Sequence, residues 1–328
     1  MIADTAPWHS IRDYIHGITR TIWEDRHVAA GLARFYAPGV IVRAPTGVTV
    51  GNAGVVAATL ATLHQFPDRQ LVGEDVITND HGDGSFLSSH RLISVMRHRG
   101  DGAFGAASGR LVKSRIIADC VVAGGRVVEE WLVRDGAAFA GALGLPVAEL
   151  AARLVAADRA AGGEVAYYIP ARDIAGAYRP RLADDSTAMT YADGWRRIWG
   201  EADPSAIRAL YAEGAAVTIP GGAIANGWGE IDRFVIGYLA AMPGAGFRVE
   251  SLTINRAVDH PVRIAMRWSL TGIHSGYGAF GEPRGAPLHI MGINHAQLWG
   301  DRVIAEWVLV DELAVHKQRL DHARQDTE

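Results

Sequence analysis

The sequence predicts an α+β fold laid down twice, each copy a curved, mainly antiparallel sheet with helices covering its concave side. Three observations carry this. The chain repeats itself at a fixed offset: Trp23 answers to Trp199, His98 to His274, Gly100–Gly105 to Gly276–Gly281, and Glu130-Trp131 to Glu306-Trp307, each pair 176 positions apart. Chance does not hold register over that span. Within each half, helix-period segments come first and strand-rich runs follow, an α+β order. At 328 residues the chain also exceeds the usual size of one compact core.

In the first half, Ser10 is placed to cap a helix whose apolar residues Ile11, Ile15, Ile18 and Ile22 recur at helical spacing. A second helix over Val28–Tyr36 stops at Pro38-Gly39. "VIVRAP" reads as a short strand, and Asn52–Phe66 as a third helix ended by Pro67. Four strands follow: Gln70–Asn79, Phe86–Arg97, Arg110–Val122 and Arg126–Val133, with "HGDG" and "AGG" as hairpin turns.

The second half repeats the order. Asp203-Pro204 marks a helix start, Gly229–Ala241 is the next helix, and "FRVESLTINR", "VRIAMRWSLTGIH", "LHIMGINHAQLW" and "RVIAEWVLV" are strands. The expected division is 1–145, an ordered connector over 146–187 with its own helix, and 188–328. Sheets curved under helices enclose pockets, and the second half, with His289, Asn294, His295, Glu306 and Tyr277, offers the more polar one.

The bulk numbers exclude several classes. A net charge of −4 with scattered Lys and Arg argues against nucleic acid. No stretch approaches the roughly 18 apolar residues of a membrane helix. The start, "MIADTAPWHSIRDYIH", does not read as a signal peptide. A single cysteine, Cys120, precludes an intrachain disulfide and fits a reducing, cytoplasmic setting.

Several motifs in this order, "TIWED", "RFYAPGVIVRAPTG", "FPDRQLVGEDVI", "HRGDGAFG" and "GGRVVEEWLVRD", with "RIWGEAD", "ALYAEGAAVTIPGG", "HSGYGAFG" and "GDRVIAEWVLVD" as their second-half versions, resemble the SnoaL-like polyketide cyclase family. That family sits within the cone-shaped folds (cystatin-like) that include nuclear transport factor, ketosteroid isomerase and scytalone dehydratase. The resemblance implies two tandem cone-shaped domains and a small hydrophobic ligand or substrate. It implies ring closure by an aldol step without cofactor or metal, with a carboxyl on the last long strand as general acid/base. It also implies an intrachain pseudo-dimer of the two domains, with a homodimer between chains as the alternative.

Aligned on this sequence, the cyclase aspartate falls on Leu132 and Val308, its histidine near Ala118 and Asn294 (with His295 adjacent), and an asparagine of some cyclases near Arg43 and Thr218. Side chains alternate along a strand, so Glu130, Leu132 and Arg134 share a face opposite Trp131, Val133 and Asp135. Glu130 and Glu306, with Asn294 and His295 in support, are therefore the candidate acid/base groups. A buried glutamate with a raised pKa can take that role; the plainer reading pairs it with an arginine. Trp131, Trp307, Arg43, His289, Tyr277, Asp135, Asp311, His98 and His274 are candidate ligand contacts. For the two aspartates a helix- or turn-capping role competes, for the tryptophans simple core packing, and for His98 and His274 backbone bonding in a tight loop. His289 and His295 share a strand face and with a glutamate have the residue types of a metal site, though no metal motif supports one. The rival to an enzyme is a protein that only binds a hydrophobic ligand, its cyclase acid replaced by Leu132 and Val308.

Overall fold

The computed structural model describes residues 8–325. Ser10 caps α1 (Ile11–Thr19) by accepting from the Asp13 amide at 3.0 Å, and a π-helical turn, Arg20–Glu24, extends it. Then come α2 (Val28–Phe35), β1 (Tyr36–Ala44), β2 (Gly47–Val50), α3 (Asn52–Gln65), β3 (Gln70–Asp80), β4 (Phe86–Arg97), β5 (Leu111–Ala123) and β6 (Arg126–Arg134). After α4 (Gly136–Ala142) and α5 (Val147–Ala160), the second unit runs α6 (Ser186–Trp195), α7 (Ile207–Leu210), β7 (Tyr211–Thr218), β8 (Ile224–Asn226), α8 (Gly227–Ala241), β9 (Gly246–Asn255), β10 (Val262–Ile273), β11 (Pro287–Trp299), β12 (Arg302–Val310) and α9 (Glu312–Gln325).

Each unit is a six-stranded sheet, ordered β2-β1-β6-β5-β4-β3 and β8-β7-β12-β11-β10-β9. All pairings are antiparallel except β1 with β6 and β7 with β12. The curvature is copied along with the sequence. Glu74 stands unpaired where β3 bulges against β4, and Glu250 stands unpaired at the matching point of β9. A second bulge falls at Val121/Val122 and again at Gln297/Leu298. Bulges bend and twist the strand that carries them, so the helices of each unit close over a hollow.

The opposite faces of the two sheets meet each other. Ile117, Val133, Met291, Ile293 and Leu309 form the apolar centre of that contact. Around it the repeat is reciprocal: the Arg267 guanidinium lies 3.7 Å from the ring centre of Trp131, and Arg91, its repeat mate, 3.4 Å from that of Trp307. Buried Arg267 also pairs with buried Asp119 at 3.1 Å. At the sheet margin the Asn255 side-chain amide accepts from the Thr78 amide (2.9 Å) and donates to its carbonyl (2.7 Å), imitating a strand neighbour.

The connecting segment touches both units. Its α5 packs on α9, tied by Lys317–Asp158 and Arg159–Asp321, both at 2.8 Å. Tyr168 donates its amide to the Pro45 carbonyl, and Ala183 its amide to that of Leu252. No single helix among the described residues is long and apolar enough to cross a membrane. Several features departed from the expected pattern, among them α4 and α9, for which no helix was expected. The short strands β2 and β8 lack sequence signals of their own, and Asp203-Pro204 opens a 3-10 turn leading into one helical turn rather than a full helix.

Removing one member of a buried ion pair strands the other without solvation, at about 3–5 kcal/mol. Arg267→Met is therefore expected to lower unfolding stability by about that amount in urea titrations, and Asp119→Asn added to it should recover part of the loss. Unchanged stability in the single variant would show that the contact between sheets does not depend on this pair.

Candidate functional site

Three rows of side chains cross the concave face of the first sheet. The register places Ser88, Cys120, Glu130 and Val42 in one row, His90, Ala118 and Leu132 in the next, and Leu92, Ile116 and Arg134 in a third. With α1, α3 and the β1–β2 turn they bound a cavity of about 270 Å³. Its wall is mainly apolar, from Ile15, Ile18, Val42, Val55, Leu71, Leu92, Ile116 and Leu132, with Trp23 at its side. That is close to the scale of small-molecule sites.

Glu130 is the carboxyl of this cavity. Tyr36, at the start of β1, donates its hydroxyl to Glu130 Oε2 at 2.9 Å. Oε1 accepts nothing among the described residues and belongs to the cavity wall. Burial raises the Glu130 pKa above the ordinary carboxylate range, while the Tyr36 hydroxyl and the nearby Arg134 charge hold it back. His90, on the same wall, is pushed down to about 3 by burial and by the charges of His16 and Arg12, so it is neutral. Burial, then Glu130 and Asp119, raise the Cys120 thiol well above its usual range, which leaves it protonated and unreactive.

The second unit keeps the glutamate–tyrosine pair and fills the hollow around it. Tyr211 donates to Glu306 Oε2, and Tyr191 to Oε1. Asn294 donates to the same Oε1 at 3.2 Å and accepts from Trp268 Nε1 at 2.9 Å. Glu306 is 0% exposed. The filling comes from size changes at matched positions: Ile15 becomes Tyr191, Thr19 Trp195, Leu92 Trp268, Thr62 Tyr238 and Leu71 Phe247. Trp195 stacks on Trp199 at 5.4 Å and lies 5.5 Å from Trp268. Gly292, the counterpart of Ile116, makes room, for a Cβ there would lie 2.2 Å from the Trp268 ring. The second half, expected to offer the more polar pocket, thus has its hollow filled by aromatic rings.

Other candidates lie away from the cavity. His295 sits on the opposite strand face from Asn294 and Glu306, facing the other unit, where its Nε2 meets Ser89 Oγ at 2.9 Å. Glu306 is thus out of reach of both His289 and His295, and among the described residues no cluster of metal-ligating side chains occurs. Trp131 and Trp307 stack under arginines between the sheets. Arg43 is held by Glu129 at 2.9 Å and Asp173 at 2.7 Å, on that same outer face. His289 bonds Thr271 Oγ1 at 2.9 Å and lies near Tyr168. Tyr277 is 71% exposed on its loop.

Asp135 caps α4 through the Ala138 amide and also accepts from Gly221 of the other unit, both at 2.9 Å. Asp311 accepts from the Leu313 and Ala314 amides at the start of α9. His98 stacks on Phe66 at 5.2 Å and bonds Ser108; His274 accepts from Arg319. These four hold turns and helix ends rather than a cavity. Sequence reasoning had not singled out Tyr36, Arg69, Arg134 or His90 as site residues. For Arg134 a signal existed: it shares a strand face with Glu130, and its repeat mate is Val310.

No family model and no curated protein sequence matches this chain. Among solved structures it is similar to wild-type IdmH, a putative polyketide cyclase from Streptomyces antibioticus (18% identity, 40% of this chain and 98% of that one, TM-score 0.35). It is also similar to a putative SnoaL-like polyketide cyclase from Jannaschia (16%, 42% and 96%, TM-score 0.35). A third is a hypothetical protein with a ketosteroid isomerase-like fold from Catenulispora acidiphila (16%, 39% and 91%, TM-score 0.31). Each spans about the length of one unit of this chain.

Burial lifts Glu306 from 4.5 to about 7, against the pull of its Tyr191, Tyr211 and Asn294 hydrogen bonds. Between those values the folded chain binds more protons than the unfolded one, so this group makes stability fall as pH rises through the window and level off above about 7. Asp311, lifted to about 7 chiefly by burial, acts in the same direction. Glu306→Gln is expected to remove its share: melting temperatures from pH 4.5 to 8 should decline less in the variant than in the parent. Parallel curves would mean that Glu306 ionises in the fold as freely as in water.

Proposed function

We propose that the first unit binds a small, largely apolar molecule in its cavity and moves a proton on it through Glu130, without a cofactor, while the second unit is a structural partner. One observation carries this reading. The same glutamate–tyrosine pair occurs twice, sealed on both carboxyl oxygens in the second unit but with Oε1 free on a cavity wall in the first. Burial raises the Glu130 carboxyl above the ordinary carboxylate range, which is the direction that favours a general acid/base. Tyr36 fixes the carboxyl and, as a phenol whose own pKa is raised well above its usual range by burial and by Glu130, stays protonated. The reaction class that fits is proton abstraction next to a carbonyl, as in isomerisation or aldol ring closure. The two copies packed sheet to sheet are proposed to replace a dimer of single units.

A second reading has its own support: the wall position matching the cyclase acid is Leu132, which cannot move a proton. On that reading the cavity holds its ligand and releases it unchanged.

Exchange of α-protons into D2O, followed by NMR over a panel of enolisable aryl ketones and cyclic 1,3-diketones, separates the two. The first reading expects exchange catalysed by the parent, reduced about 100-fold or more in Glu130→Gln and retained in Glu306→Gln. Ligands that bind without exchanging, or exchange indifferent to Glu130→Gln, would leave the binder.

A further inference from the structure

The arginines that face the other sheet or lie between the units are neutralised: Arg43 by Glu129, Arg91 by Glu74, Arg267 by Asp119. Two others, Arg69 just before β3 and Arg134 at the end of β6, line the cavity instead. Among the described residues neither guanidinium has a carboxylate at ion-pairing distance or a side-chain hydrogen bond. The carboxyls whose fields reach them stand further off, Glu130 and Asp311 for Arg134, Glu24 for Arg69, while Arg26 and Arg134 repel Arg69. Arg134 is exposed and Arg69 half-buried, so solvent reaches both, and each keeps an unpaired fork on the cavity wall that an incoming anion can meet.

We infer that the cavity is built for an organic anion, a carboxylate or equivalent oxyanion on an apolar body, with Arg134 and Arg69 gripping the charged end. Glu130 and Tyr36 then face the apolar body. The guanidinium is suited to this because its planar fork matches the two oxygens of a carboxylate. The repeat supports a ligand-directed role. At the position of Arg134 the filled second unit carries Val310, and at that of Arg69 it carries Ala245. Where the hollow is closed by aromatic rings, the cations are absent. The inference deepens the proposed function by naming the chemistry of its ligand, and it rests on the cavity being the ligand site; it does not rest on Glu130 catalysing anything.

The test is isothermal titration of the full chain with 2-naphthoate and with 2-naphthamide, its uncharged analogue, at low and high salt. The expected result is naphthoate binding at least 10-fold tighter than the amide, with the preference shrinking as salt rises. Arg134→Met and Arg69→Met should each cut the preference several-fold, and the double variant should abolish it while the amide binds as before. Neither variant should lower the melting temperature, since each removes a cation without a partner. Glu130→Gln should keep the preference, which separates binding of the anion from proton transfer. Equal affinities for the two compounds, or a preference that survives the double variant, would overturn the anion inference alone. Binding of neither compound would overturn it together with the cavity as a ligand site.

Discussion

A sheet bent by bulges encloses volume on its concave side, and that volume has to be occupied. Protein interiors are packed to the density of organic crystals, and an unfilled hollow forfeits contacts on every wall. Both sheets of this chain are bent at matching bulges, at Glu74 and at Glu250, so both inherit the same hollow. The second unit meets the demand with its own side chains. Trp195, Trp199, Trp268 and Phe247 occupy it, and Gly292 yields the space that the Trp268 ring takes. The first unit leaves about 270 Å³ open, which is a cost unless a ligand fills it.

What allows one unit to stay hollow is the contact on its other face. Ile117 and Val133 are buried against Met291, Ile293 and Leu309, and Trp131 and Trp307 are each covered by an arginine of the opposite sheet. The outer face of the first sheet is thus held by a partner whose own core is filled. Apolar surface buried between the sheets stabilises both units together, at roughly 25 cal/mol per Å². The connector adds ties at both ends, through Tyr168 to the β1–β2 turn and through Lys317–Asp158 to α9.

The sequence foretold this plan better than it foretold the site. Repeat spacing and strand alternation are local signals, and they located most of the first unit's helices, the long strands and the shared face of Glu130, Leu132 and Arg134, but not α4 or α9. Which way a whole face turns is not local. Trp131 and Arg43 looked like cavity residues because one sequence does not say which side of the sheet is covered by helices and which by a second sheet. The filled state of the second unit is legible in the sequence. Threonine opposite tryptophan at Thr19/Trp195, or isoleucine opposite glycine at Ile116/Gly292, are differences of volume between aligned repeats, and comparing the halves by size rather than by polarity would have exposed them. The polarity of Asn294, His295 and Glu306 drew attention to the unit whose hollow is filled, because buried polar groups in a satisfied network resemble, in one dimension, those of an active site.

The two glutamates carry the same lesson in chemical form. Glu306 accepts from two tyrosines and an asparagine, so its carboxyl is satisfied and has no open side from which a substrate could take or give a proton. Glu130 accepts from one tyrosine and keeps an oxygen on the cavity wall. Position 118 sets part of the difference. Asn294, which donates to Glu306, is replaced in the first unit by Ala118, and a methyl group offers the carboxyl nothing. The duplicated strand thus presents one carboxyl finished as a structural element and one left incomplete, and the incomplete one lies in the unit whose hollow is still open.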